Sequence, residues 1–191
     1  MTPASEPNNL LPQVRRPNRE LAVQYARRVF LHGDRLDMRT LASALDVGRS
    51  TLYRWVGDRE TLLARILADL SAETWAHILQ ATQGEGTAPV LADIRRFMEV
   101  TAAYEPLRMF AGQEPTVALR VLMAEGGRVN TALNQGIRAS LAEHKVAGVD
   151  ARTVDIMVQL GTALQWTPIV IGEAPAIDRA ITLIDHLLDR S

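Results

Sequence analysis

Between Arg39 and Arg59 the chain gathers side chains suited to phosphates and base edges: Arg39, Thr40, Arg49, Ser50, Thr51, Tyr53, Arg54, Trp55 and Arg59. Arg49 and Arg54 can reach phosphate oxygens or fork onto guanine edges. Ser50 and Thr51 can donate to phosphate or to either base edge, and Tyr53 can give its hydroxyl to a phosphate. A second set lies further on: Trp75, Phe97, Thr101, Tyr104, Met109, Phe110, Asn130, Asn134 and Trp166. These mix aromatic, thioether, hydroxyl and amide groups, the chemistry of a mostly apolar small-molecule site with a few orienting polar groups.

The first set needs two short helices set at an angle. Asp37 can cap a helix whose Met38, Leu41 and Leu45 recur on one face. Asp46-Val47-Gly48 breaks it. A second short helix turns Leu52 and Val56 inward and leaves Arg49, Ser50, Thr51, Tyr53 and Arg54 outside. This is the layout of a helix-turn-helix, whose second helix fits the DNA major groove. An ordinary helical hairpin with a solvated basic face has the same spacing, so the pattern alone does not choose between them.

The run Leu52-Tyr53-Arg54-Trp55-Val56-Gly57-Asp58-Arg59-Glu60-Thr61-Leu62-Leu63 resembles the signature of TetR-type transcriptional regulators, in which Leu-Tyr, an aromatic pair and Lys-Glu-x-Leu close the DNA-binding domain. The resemblance is specific over Leu36 to Leu70. Trp55 stands where that family usually has His, Val56 where it has Phe, and Arg59 where it has Lys. Asp46 replaces the usual turn Gly, and Gly48 the usual Ser cap. Asp tolerates the left-handed conformation and Gly is an acceptable cap, so the turn should survive both changes. Arg59 keeps the charge at a phosphate-facing position, and Trp55 can donate its indole proton to the backbone. The resemblance implies an all-α fold: an N-terminal three-helix helix-turn-helix domain joined by a long helix to a C-terminal helical ligand-binding and dimerisation domain. It also implies a homodimeric repressor on a palindromic double-stranded operator, released by a small-molecule effector. A lactone-responsive subfamily is one candidate.

Composition agrees with such a protein without specifying it. The chain has 191 residues, 47% hydrophobic and 23% charged, enough to bury a core and stay soluble. Residues up to Glu60 carry a net +3 and the remainder a net −4, so the basic half holds the helix-turn-helix. Without cysteine there is neither a disulfide framework nor a thiolate metal or redox site. The N-terminal residues lack the order of a signal peptide, and no apolar run approaches the ~20 residues of a membrane span. A cytoplasmic protein is expected, with no membrane partner, metal or cofactor.

Along the chain, residues 1–17 are expected to form a disordered arm ending in Arg15 and Arg16, with Arg19 just beyond. The DNA-binding domain is expected over 18–65 and the ligand-binding and dimerisation domain over 66–191. Asn18 can cap a first helix to about His32, and Asp58 a long one to about Gln83 that leaves the first domain and enters the second. Gly84-Glu85-Gly86-Thr87 is expected to be a flexible connection, and Leu107 to Ala111 a short helical turn before Gly112.

The last two long helices, about 151–171 and 176–188, carry more apolar surface than one partner covers. Val154, Met157, Gly161 and Leu164 form one stripe of the former, and Ile156, Leu160 and Ala163 another. Ile177, Ile181, Ile184 and Leu188 stripe the latter. Two subunits packing these helices would form a four-helix interface; two central core helices of a monomer are the alternative.

No phosphate-binding Gly loop, Gly-x-Ser-x-Gly elbow or His-Glu-x-x-His is present, and His32, His77, His144 and His186 fall on different predicted helices. No enzymatic activity is expected. A small-molecule-binding or scaffold protein with a vestigial helix-turn-helix is the competing function.

Overall fold

In the computed structural model, which describes residues 17–190, ten helices form without any strand among the described residues. They are α1 (Arg19–Leu31), α2 (Met38–Ala44), α3 (Arg49–Val56), α4 (Arg59–Ala81), α5 (Thr87–Ala103), α6 (Glu105–Gln113), α7 (Pro115–Leu122), α8 (Arg128–Glu143), α9 (Ala151–Val170) and α10 (Ile177–Leu188). Residues 1–16 of the expected arm, with Arg15 and Arg16, lie outside the described residues, and Arg19 is the exposed first residue of α1.

Local chemistry starts the helices where side-chain acceptors stand ready for orphan N–H groups. Asn18, Asp37, Asp58 and Asp150 accept from the backbone of Leu21, Thr40, Thr61 and Thr153, at 2.9, 2.8, 2.7 and 2.7 Å. Hydrogen bonds from Thr40, Thr61 and Thr153 hold the three Asp carboxyls below the ordinary Asp range. Between α2 and α3, Asp46 takes the left-handed conformation at φ 51°, and Gly48 caps α3 through its backbone alone.

Burial then orders the helices into two clusters. The first joins Ala22, Ala26 and Phe30 of α1 to Leu41, Leu52 and Leu62, and extends to Leu107 and Phe110 of α6 and Val121 of α7. The second joins Trp75 and Ile78 to Val90, Ile94 and Phe97, then to Ile137, Met157 and Ile184. The helix α4 contributes to both, so one rigid rod connects the helix-turn-helix with the C-terminal bundle.

Two connections differ from the sequence expectation. The short turn before Gly112 is a nine-residue helix that runs through Gly112 to Gln113, because Pro106 sits in the first turn, where its missing N–H costs nothing. The Gly84–Gly86 connection is tied down: Gly86 N–H donates to the His144 carbonyl at 2.8 Å, and Lys145 pairs with Glu85.

Candidate functional site

Helix α3 presents a polar face because its two buried residues, Leu52 and Val56, are held below it. Leu52 is fully buried and Val56 nearly so, while Arg49, Ser50 and Arg54 are exposed, Tyr53 is 47% exposed and Thr51 half-buried. Arg39 is exposed at the start of α2. Thr40 donates its hydroxyl to Asp37 at 3.0 Å, which holds it at the cap. Trp55 is half-buried against the helix-turn-helix core, and its indole N–H makes no hydrogen bond among the described residues, contrary to the expected backbone contact.

Arg59 also departs from its expected phosphate-facing position. Its Nε donates to the Leu36 carbonyl at 2.6 Å and its Nη2 to Glu114 Oε1 at 2.5 Å, both inside the protein. Arg35 lies 3.5 Å from the other Glu114 oxygen. The physical reason is geometric: at the first residue of α4, the side chain meets the α6–α7 junction, where Glu114 sits. A partner 55 residues away carried no signal in the sequence.

Beyond this junction, α4, α5, α8 and α9 enclose a cavity of about 530 Å³, within the range of small-molecule sites. Trp75 stacks on Phe97 with ring centroids 4.8 Å apart and planes 13° from parallel. Both line the cavity, as do Thr101, Tyr104 and Trp166. The stack is possible because α8 offers Gly136 to the indole: a Cβ there would lie 2.3 Å from Trp75 Cδ1.

Four other expected lining residues lie elsewhere. Met109 is turned toward α1, its sulfur 2.9 Å from where a Cβ on Gly33 would be, and Phe110 meets Phe30 edge-on at 5.9 Å. Asn134 Nδ2 donates to the carbonyl and side chain of Asn130, at 3.1 and 3.2 Å, along α8, while its Oδ1 is buried without a partner among the described residues.

Sequence reasoning missed Thr162 and Gln165 as lining residues. Both are buried on α9 and line the cavity with Met157, Val158 and Trp166. The available signal was polarity on a core stripe, since Val158, Thr162 and Gln165 follow at helical spacing. Ionisable lining residues Glu73, His77 and Arg96 are all exposed at the rim. Glu73 accepts from both terminal nitrogens of Arg27 at 2.6 and 2.5 Å, a hydrogen-bonded pairing that lowers its pKa.

A further buried polar cluster, also missed, fastens α5 to the end of α8. Asp93 Oδ2 accepts from Ser140 at 2.7 Å and lies 2.9 Å from His144 Nε2. His144 Nδ1 lies 2.8 Å from the Gly84 carbonyl, which can only accept. With one ring nitrogen facing a carbonyl and the other a carboxylate, the imidazolium satisfies both contacts. Burial alone lowers the His144 pKa; hydrogen bonds to Gly84 and Asp93 and the Asp93 charge outweigh it and leave the pKa raised.

Residues 85–189 match the family described as Tetracyclin repressor-like, C-terminal domain. Two solved structures resemble the whole described fold. The transcriptional repressor QsdR of the TetR family, from R. erythropolis, is 26% identical, with a TM-score of 0.82 over 90% of this chain and 94% of its own. The TetR family repressor AlkX from Dietzia sp. strain DQ12-45-1b, implicated in biodegradation of n-alkanes, is 18% identical. Its TM-score is 0.55 over 92% of this chain and 96% of its own, a likeness of fold. No curated protein sequence matches. The helix-turn-helix, the long α4 and the matched C-terminal bundle together place this chain in the TetR family of transcriptional regulators.

Proposed function

We propose that the protein is a homodimeric repressor that leaves a palindromic operator when a small, mostly apolar molecule enters the cavity. One observation carries this reading: α4 is shared. Its first residue, Arg59, is bonded at the edge of the helix-turn-helix, and its residues from Leu67 to Ala81 wall the cavity. A ligand that displaces this wall moves the base of the DNA-binding unit. A 100-fold loss of operator affinity requires roughly 2.7 kcal/mol of coupling between the two sites.

Arg49, Ser50, Thr51, Tyr53 and Arg54 would meet base edges and phosphates, with Arg39 at the flank. Thr40, Trp55 and Arg59 would support that face from behind. Dimerisation through α9 and α10 is supported by apolar side chains that their own bundle leaves outside: Ile156 is 40% and Leu183 39% exposed, with Leu160 and Ala163 half-buried beside them. Two copies would set two α3 helices about one DNA turn apart. Such a regulator works on chromosomal DNA in the cytoplasm and needs no catalysis. The low-charge cavity interior suits an uncharged effector with an apolar chain.

Binding of the purified protein to genomic fragments, including the promoter of its own gene, at several salt concentrations tests this reading. Saturable, selective binding by a dimer should weaken as salt rises and vanish when Arg49 and Tyr53 are replaced by Ala. A monomer without selective binding, in buffer or cell extract, would leave only a small-molecule-binding protein with a vestigial helix-turn-helix.

A further inference from the structure

Among the hydroxyl side chains around the cavity, most are already committed. Ser71, Thr74, Thr82 and Thr101 each donate to the carbonyl one turn earlier, at 2.8, 2.9, 3.3 and 2.7 Å. Trp75 Nε1 has no partner, but it is packed where a Gly136 Cβ would lie within 2.4 Å, so it faces α8. The Tyr104 hydroxyl is also uncommitted among the described residues, but that residue is 37% exposed; two buried groups remain, both on α9 and one turn apart.

Gln165, 3% exposed, is held in one orientation. Its Nε2 donates to the Met98 carbonyl at 3.2 Å, which can only accept, and to Thr101 Oγ1 at 2.8 Å. Its carbonyl oxygen makes no hydrogen bond among the described residues. Thr162, 7% exposed, likewise has no hydrogen-bond partner among the described residues. Neither atom is among the fully buried side-chain atoms left unpaired, so both keep accessible surface, and on residues that line the cavity that surface is open to a molecule entering it.

We infer that Thr162 and Gln165 form a two-point polar clamp for an uncharged head group that both donates and accepts, an alcohol or an amide on an apolar chain. The ligand's O–H or N–H donates to Gln165 Oε1, and its oxygen accepts from the Thr162 hydroxyl. A carboxylate is disfavoured, because among the described residues no cation stands inside and the one lining Arg, Arg96, is at the exposed rim. This assignment rests on the cavity being the effector site.

The test uses the full-length protein and four compounds of one chain length: decanol, decanamide, methyl decanoate and decanoate. Binding is followed by tryptophan emission, to which Trp75 and Trp166 at the cavity contribute beside Trp55, and by the melting temperature. Decanol and decanamide should bind about tenfold or more tighter than methyl decanoate, which cannot donate to Gln165, and than decanoate. Gln165→Leu should erase the preference over the ester while ester binding persists. Thr162→Val, which leaves the Gln165 tie to α5 intact, should independently weaken the alcohol and amide by a similar factor. Equal or tighter binding of ester or carboxylate, or a preference unchanged in a folded variant, overturns the clamp and spares the cavity as a binding site. If none of the four compounds changes either signal, the cavity reading falls and the clamp with it.

Discussion

Arg59 and Glu114, 55 residues apart, meet across a 2.5 Å hydrogen bond that fastens the start of α4 to the α6–α7 junction. The contact is three-quarters buried or more on both sides, with side-chain exposures of 21% and 13%. Glu60 reinforces it from the next position through an ion pair with Arg120 of α7, 2.8 Å apart.

Glu114→Gln should therefore keep the shape of the junction and remove its charge. The expected loss is about 1–2 kcal/mol of stability, between the values for exposed and for buried pairs, measured by urea unfolding. Operator affinity without effector should stay within a few-fold, while release by effector becomes shallower. An unchanged dose response would mean that the junction is only a brace.

Gly136→Ala should be costly despite alanine's better helix propensity. The added methyl would lie 2.3 Å from Trp75 Cδ1, well inside contact distance, so the indole or α8 must shift. Overpacking of this kind costs about 1–3 kcal/mol, and the Trp75–Phe97 stack should change its near-ultraviolet circular dichroism. Gly161→Ala on α9 is the control, since its methyl meets nothing nearer than Ile184 Cδ1 at 4.0 Å. That variant should be neutral or more stable by up to about 1 kcal/mol.

The His144 cluster predicts a pH dependence with a definite sign. Its pKa is raised in the folded state, so the charged ring stabilises the fold fully below the ordinary His range near ~6.5. That contribution is lost as pH rises through the raised value. Melting temperature should fall on moving from slightly acid to alkaline buffer, and the slope should shrink in Asp93→Asn. His144→Leu should cost about 3 kcal/mol, by leaving Asp93 buried without its charge partner. A pH profile identical in the native protein and in Asp93→Asn would exclude His144 as the titrating group.

What the sequence disclosed was local. Asn18, Asp37, Asp58 and Asp150 cap helices through bonds to residues three positions on, so pattern alone finds them. Leu52 and Val56 face inward as their spacing requires, which leaves Arg49, Tyr53 and Arg54 outside. The cavity was partly legible, because Trp75, Phe97, Thr101 and Trp166 lie on helices whose inward faces follow from period, while Tyr104 lines it from the exposed junction between α5 and α6. Met109 and Phe110 did not follow, because the face that α6 turns inward is set by packing against Gly33 and Phe30, contacts distant in sequence. Asp93 with His144, Arg59 with Glu114, and Gln165 with Met98 escaped for one reason. Each joins residues 51 to 67 positions apart, and each buries a polar group that composition assigns to the surface.

The unbroken course of α4 has a mechanical consequence. Sixteen residues separate Arg59 from Trp75, about 24 Å of helix at 1.5 Å per residue. A tilt of about 5° pivoting at Trp75 would swing Arg59 by about 2 Å over that length. In a two-fold dimer the swings oppose, and the separation of the recognition helices would change by about 4 Å against a groove repeat of about 34 Å. Under the proposed release mechanism, a ligand would not need to remake the bundle to unseat the protein: a shift of under about 1 Å at the cavity wall, geared up by one stiff rod, would spoil the register with DNA.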